Sequence, residues 1–367
     1  MLFVPAALAC AFPVGILYLS GELTPDERVI EEQLESKALV LFGPAYRDFK
    51  GNFKLRSVVR RMPDVLVLGT SRVLQFRAQL FANPAAFYNA GLGVVHLRHF
   101  RQFLEMLPPE RAPSLLIIGL DQKFFAASER DIAIELYGTE APSWVMANKW
   151  ATVSLDYMRG KYRLSDAWSD SEDAPRIGLA ARVDGKGVRN DGSYRYGDYL
   201  RNPDVRNHTD RDFEASLYWI SRGSGGFPWG PGIGQAALDE VAQLLESCRN
   251  RRIRVVAFLP PFAHAVYERQ ASMPQFRYVL EIERDLRPIF ERFEGELFDF
   301  SDLASVGASD VETVDGSHGS EAAYVRLFLR MLEHSVILPS FAADSRYLRR
   351  RLAEAGSRYE VFKTLQP

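Results

Sequence analysis

Three short runs constrain this chain more than any other feature: Asp64-Val-Leu-Val-Leu-Gly69, Ser114-Leu-Leu-Ile-Ile-Gly119 and Arg254-Val-Val-Ala-Phe-Leu259. After its polar first residue each is continuously apolar instead of alternating, as a strand buried on both faces must be. Ala86-Phe-Tyr-Asn-Ala-Gly91 and Leu297-Phe-Asp-Phe300 read as two further strands. A helical stretch follows the first run through Phe76 and Phe81. Helical apolar spacing recurs over residues 94–107, which Pro108-Pro109 close, and over 236–250, 278–293 and 320–338. Alternation of this kind predicts an α/β fold, a parallel sheet covered on both faces. Right-handed crossovers then bring every strand's C-terminal end to one edge, where functional residues collect.

The interval 126–235 breaks the rhythm and is too long for a connection, so it must carry structure of its own. It holds Trp144, Trp150, Trp168, Trp219 and Trp229, with glycine-rich stretches at 185–192 and 223–234. It reads either as a cap over the active edge or as an outgrowth with a minor core. Lys186 and Arg189 beside glycines offer an anion site, without the spacing of a nucleotide loop. The chain then divides into an anchor (1–21), a linker with a leading helix (22–63), a first half-domain (64–125), the insertion (126–235), a second half-domain (236–340) and a tail (341–367).

Residues 1–21 carry no charge and are long enough to span a hydrocarbon core. A cleaved signal peptide would need a basic start, which is missing, and a good small-x-small site after the apolar run, where none follows. The expectation is one N-terminal membrane helix with the remainder extracytoplasmic (periplasmic); a buried helix is the alternative. A net charge of −2 excludes general attraction to nucleic acid. Two cysteines, Cys10 and Cys248, leave no disulfide framework and no cysteine-based zinc site. His96 and His99 stand at i, i+3 on one helix without an acidic third ligand at telling spacing. Neither a metal nor a cofactor is expected. His208 and His334 read as surface or satisfied residues.

Gly69-Thr70-Ser71 delivers a hydroxyl to the sheet edge. Gly69 would allow a sharp turn and Ser71 would begin the next helix, as a nucleophile or as a plain N-cap. A serine nucleophile needs a base and an orienting acceptor. His318, beyond the fifth strand, follows Asp315 by three residues, with Gly316 and Ser317 small enough for a tight turn. Gly91 would bring a backbone N–H to the same edge, Asn89 either assists it or caps a helix, and Asp121 and Gln122 end strand three. His264 follows strand four and either contacts substrate or packs against Pro261. Arg72, His264 and Asp121 are the substrate-binding candidates.

Gly69-Thr-Ser71, the glycine after strand two and Asp315-x-x-His318 resemble blocks I, II and V of the SGNH (GDSL-type) hydrolase superfamily, over residues 64–121 and 254–338. The resemblance implies a flavodoxin-like, three-layer α/β/α sheet of about five strands interrupted between strands three and four. It implies acyl transfer to water or sugar hydroxyls, with Ser71 as nucleophile, His318 as base, Asp315 as its orienter and the Ser71 and Gly91 amides as oxyanion hole. Block III departs, with Gly119-Leu-Asp121-Gln122 where the family has Gly-x-Asn-Asp. Either Gln122 or Asn89 substitutes, or the hole is backbone-only, or activity is low. The apolar leader and altered block III are more similar to the polysaccharide O-acetylation branch, alginate acetyltransferase-like and D-alanyl-teichoic acid-type proteins included. That similarity implies an O-acylated cell-surface glycan as substrate and a membrane-bound O-acyltransferase as partner. A catalytically silent glycan-binding or scaffold protein on the same fold is the alternative.

Overall fold

The computed structural model describes residues 3–47, 51–128, 137, 143–168, 175–202 and 210–363. Five parallel strands form the central sheet: β1 (Val65–Gly69), β2 (Phe87–Gly91), β3 (Leu115–Gly119), β4 (Arg254–Leu259) and β5 (Glu296–Asp299). Their order is β2-β1-β3-β4-β5, the flavodoxin-like arrangement, with Gly69 in register with Gly91. Alternate side chains serve the two faces. Leu66, Leu68, Leu116, Ile118 and Ala257 pack beneath helices Gly51–Arg61, Arg98–Glu105, Gln235–Asn250 and Ile282–Arg292. Val65, Val67, Ile117, Val256 and Phe258 meet helices Glu321–His334 and Ser345–Ala353. The three-layer α/β/α reading therefore holds.

The chain after β1 is not the expected α-helix. It forms two short 3-10 turns, Ser71–Val73 and Ala78–Leu80. Asn89 Nδ2 donates to the Val73 and Phe76 carbonyls, and Asp191 accepts from Ala78 N. These tertiary bonds take backbone groups that an α-helix would pair internally. Phe76 is buried and packs against Phe258, Tyr324 and Phe328. Gly69 has no positive φ, so no strained turn requires it. A Cβ at Gly69 or Gly119 would come within 2.6 or 2.3 Å of Val73 Cγ1, and one at Gly91 within 3.0 Å of Val73 Cγ2. Glycines at three strand ends thus make the socket that seats Val73, two residues beyond Ser71.

The N-terminal anchor is overturned, and with it the membrane-anchored, periplasmic placement. No helix among the described residues is long and apolar enough to cross a membrane. The leader forms helix Phe3–Leu19, 17 residues with Pro13 inside. At about 1.5 Å per residue it reaches roughly 26 Å, short of the roughly 30 Å hydrocarbon core. Ile16 and Leu17 are buried with Val153, Tyr162, Ala167 and Leu179, so protein covers part of its apolar surface. Just beyond it, the buried Glu22 carboxylate accepts from Ala45 N, Tyr46 N and Leu179 N.

A second, four-stranded sheet joins the region before β1 to the insertion. Leu41–Phe42 pairs parallel with Arg176–Ile177 and antiparallel with Gly187–Val188, which pairs with Tyr194–Arg195. Lys186 is ion-paired with Asp198 at 2.7 Å. Arg189 is buried and donates to Ser193 Oγ and the Tyr194 carbonyl, 3.6 Å from Glu321. Neither cation is left as the core of an anion site. Trp150, Trp168, Trp219 and Trp229 are substantially exposed and do not build a core. His208 and the Trp144 side chain lie outside the described residues.

Candidate active site

The 3-10 turn after β1 presents Ser71, and the loop between β5 and helix Glu321–His334 presents His318. Ser71 Oγ lies 2.8 Å from His318 Nε2, and His318 Nδ1 lies 2.8 Å from both Asp315 oxygens. A carboxylate can only accept, so the Nδ1 proton points at Asp315 and bare Nε2 faces the serine O–H. That is the tautomer a general base needs. Burial alone would lower the His318 pKa, but the Asp315 charge and hydrogen bond raise it above the ordinary value. Burial would raise Asp315, yet His318 and the Ser317 hydrogen bonds hold it down at about 2.

The turn carrying the base is fixed peptide by peptide. Asp315 Oδ1 accepts from Ser317 N and His318 N, and Val314 N donates to the His318 carbonyl. Arg72 reaches across from the residue after the nucleophile. Its Nε donates to the Ser317 carbonyl, its Nη atoms donate to Gln122 Oε1 and the Pro260 carbonyl, and the guanidinium stacks on Phe262. Arg72 is 6% exposed with these donors engaged, so it positions the site and is no free substrate anchor.

Three of the four expected oxyanion donors lie at the active edge but are engaged within the protein. Gly91 N–H donates to Asn89 Oδ1 at 2.8 Å, and Asn89 Nδ2 is bonded to the Val73 and Phe76 carbonyls. Gln122 Nε2 donates to the Pro260 carbonyl and Ser301 Oγ. All three residues are buried and brace the sheet edge. The Ser71 N–H has no protein acceptor among the described residues and is the one expected donor still free. Asp121 accepts from Thr70 Oγ1 at 2.9 and 3.1 Å, while the Thr70 hydroxyl in turn accepts from Arg72 N.

A pocket of about 200 Å³ opens over these groups, lined by Ser71, His318, Asp121, Lys123, Phe262 and the Gly225–Phe227 stretch of the insertion. The insertion thus does reach the active edge. His264 is not among the lining residues; its Nδ1 is 3.0 Å from Asp302, whose hydrogen bond raises the His264 pKa. His99 is buried and its Nδ1 accepts from Val95 N and His96 N as a local cap. Among the described residues no His, Cys, Asp and Glu cluster could hold a metal ion. Larger hollows lie beside His96–Arg98 and between helices Asp26–Glu35 and Gly51–Arg61, and neither contains the serine or its base. Thr70 stands inside the Gly69-Thr70-Ser71 motif with no role expected of it, and Asp210 belongs to no motif that would have singled it out. Comparison of the chain with protein-family models, curated proteins and solved structures found no match.

Proposed function

We propose that this protein is a serine-dependent acyltransferase or esterase acting on O-acyl groups, with Ser71 as nucleophile, His318 as general base and Asp315 as its orienter. The observation that carries this reading is the hydrogen-bonded chain from Ser71 Oγ through His318 to Asp315, 2.8 Å at each step. In this scheme Nε2 takes the Ser71 proton as Oγ attacks the ester carbonyl. His318 then returns it to the departing alcohol oxygen, leaving an acyl-serine that water or a second hydroxyl resolves. The small pocket and the paired glycines Gly225 and Gly226 suit a short acyl group such as acetyl. A carbohydrate hydroxyl as acyl carrier, and a membrane-bound O-acyltransferase as partner, follow from the SGNH resemblance alone.

The test is release of acetate from an activated ester by the wild-type chain beside Ser71→Ala, with labelling of Ser71 by a serine-directed phosphonate. A Ser71-dependent rate and a single labelled serine are expected. Equal rates for the two proteins refute the serine mechanism.

A second reading, a catalytically silent carbohydrate-binding or scaffold protein, is favoured by one observation. The Gly91, Asn89 and Gln122 donors are engaged internally, and a carboxylate, Asp121, lines the pocket. Glycan binding that survives Ser71→Ala, with no phosphonate labelling of the wild type, would select it.

A further inference from the structure

The turn Asp315-Gly316-Ser317-His318 receives bonds from several parts of the chain. Ala263 N, after β4, donates to the Gly316 carbonyl, and Arg72, after β1, holds the Ser317 carbonyl. The Gly316 N–H donates to Asp210 Oδ2 at 3.2 Å, and Asp210 belongs to the insertion. Asp210 is 5% exposed. Its Oδ1 caps helix Glu214–Ile220 by accepting from Ala215 N and Ser216 N, and its Oδ2 also accepts from Ser216 Oγ. The fit on the other side is equally close. A Cβ at Gly316 would stand 2.3 Å from Ser216 Oγ and 2.8 Å from Ser216 Cβ. One carboxylate therefore ties the first turn of an insertion helix to the peptide that follows Asp315.

We propose that Asp210 is a positioning residue for the His318 base, supplied by the insertion. By holding the Gly316 N–H it fixes the turn that places Asp315 against His318 Nδ1 and His318 Nε2 against Ser71. The proposal rests on the serine acyl-transfer reading of this site. It gives the insertion a second role beside lining the pocket: through Asp210 it adds one of the bonds that hold the turn carrying the base. Asp210 acts through geometry. The charged groups that bear on His318 are Asp315 on its own turn, Arg72 after β1 and Asp121 after β3; Asp315 also acts on Tyr196, and Arg72 and Asp121 act on Tyr324.

Asp210→Asn isolates this link from helix capping. The amide oxygen still accepts from Ala215 N and Ser216 N, whereas the amide NH2 cannot accept from Gly316 N–H. The readouts are the His318 imidazole titration by NMR, assigned with His318→Gln, and the rate of phosphonate labelling of Ser71. Asp210→Asn should move the His318 pKa down toward the ordinary value and slow labelling about 10- to 100-fold, as expected for a misplaced reacting group. Ser216→Ala, which removes the hydroxyl and leaves the Gly316 link, should leave both near wild type. Should Asp210→Asn be too unstable to titrate, Gly316→Ala pushes the same contact apart from the other side and should give the same shift. A folded Asp210→Asn chain with wild-type His318 titration overturns the proposal, as does Ser216→Ala matching its effect. Absence of labelling in the wild type would refute the serine reading, and the titration would still decide the role of Asp210.

Discussion

Arg72→Lys is the sharpest test of how the site is held. The substitution keeps the charge at a buried position, so desolvation is not relieved, and the more strongly hydrated ammonium gains nothing there. The guanidinium fork reaches the Ser317 carbonyl at 3.1 Å, Gln122 Oε1 at 2.6 Å and the Pro260 carbonyl at 2.7 Å. Pro260 O keeps a second donor in Gln122 Nε2, but Ser317 O and Gln122 Oε1 depend on Arg72. An ammonium at one point cannot serve both. One buried acceptor is orphaned at about 1–3 kcal/mol, and a charge-assisted bond worth about 1.5–3 kcal/mol is lost with it. The two figures overlap, so the expected destabilisation is about 2–4 kcal/mol, read as a lowered urea midpoint at unchanged slope. Ser317 immediately precedes the base, and a shift of about 1 Å there should cost on the order of 100-fold in labelling of Ser71. A loss below roughly 0.5 kcal/mol, with labelling unchanged, would show that the fork is incidental and refute the reasoning.

His318 titrates above the ordinary histidine value of about 6.5. It must be neutral to act as base, so the ester rate should climb with pH through that raised pKa; Asp315→Asn should move the limb to lower pH and reduce the plateau. Asp315 is depressed to about 2, so its contribution to stability is complete above an unfolded value of about 4 and is lost as pH falls through about 2. Acid unfolding followed by fluorescence should show that window narrowed in Asp315→Asn. Gly119→Ala should cost about 1–3 kcal/mol by driving a methyl into Val73, and Val73→Ala in the same chain should recover part of it in a double-mutant cycle.

Much of this was legible in the sequence because β1 and β3 are apolar up to a terminal glycine, and β4 is apolar beyond Arg254 and runs into Pro260. Once β5 joined β1, β3 and β4 as a parallel strand, Ser71 and the Asp315–His318 segment that follows β5 came to one edge. What failed to read depended on tertiary partners. The leader has the same hydropathy whether lipid or protein covers it; its helix is too short to cross a membrane, and Ile16 and Leu17 pack against Val153 and Leu179. Phe76 and Phe81 suggested helical spacing, yet Asn89 and Asp191 hold that segment's backbone open. The two-residue strands of the second sheet are too short for periodicity to register. Gly91, Asn89 and Gln122 do lie at the active edge, but a sequence does not say which way an amide points.

The orientation of these amides decides what the site can do. A tetrahedral intermediate places negative charge beside Ser71, and removing one oxyanion donor typically costs about 2.7–4 kcal/mol. Here the Ser71 N–H is the one expected donor left free, and the Asp121 carboxylate lines the same pocket. On the proposed serine mechanism the Asp121 carboxylate would oppose that charge on a simple ester, while a substrate bringing its own hydroxyl or ammonium could donate to it. Asp121→Asn separates these cases. The amide oxygen can keep the Thr70 hydroxyl, and the NH2 becomes a donor toward the pocket. Loss of the negative charge also lowers the His318 pKa, since Asp121 helps to raise it. Both effects favour the reaction, so acetate release from an activated ester should rise about 10- to 100-fold at neutral pH, if the new donor recovers part of the roughly 100- to 1,000-fold that one oxyanion contact provides. A rate that falls instead would mean that the carboxylate itself takes part, and that the pocket is built around a donor carried by the natural substrate.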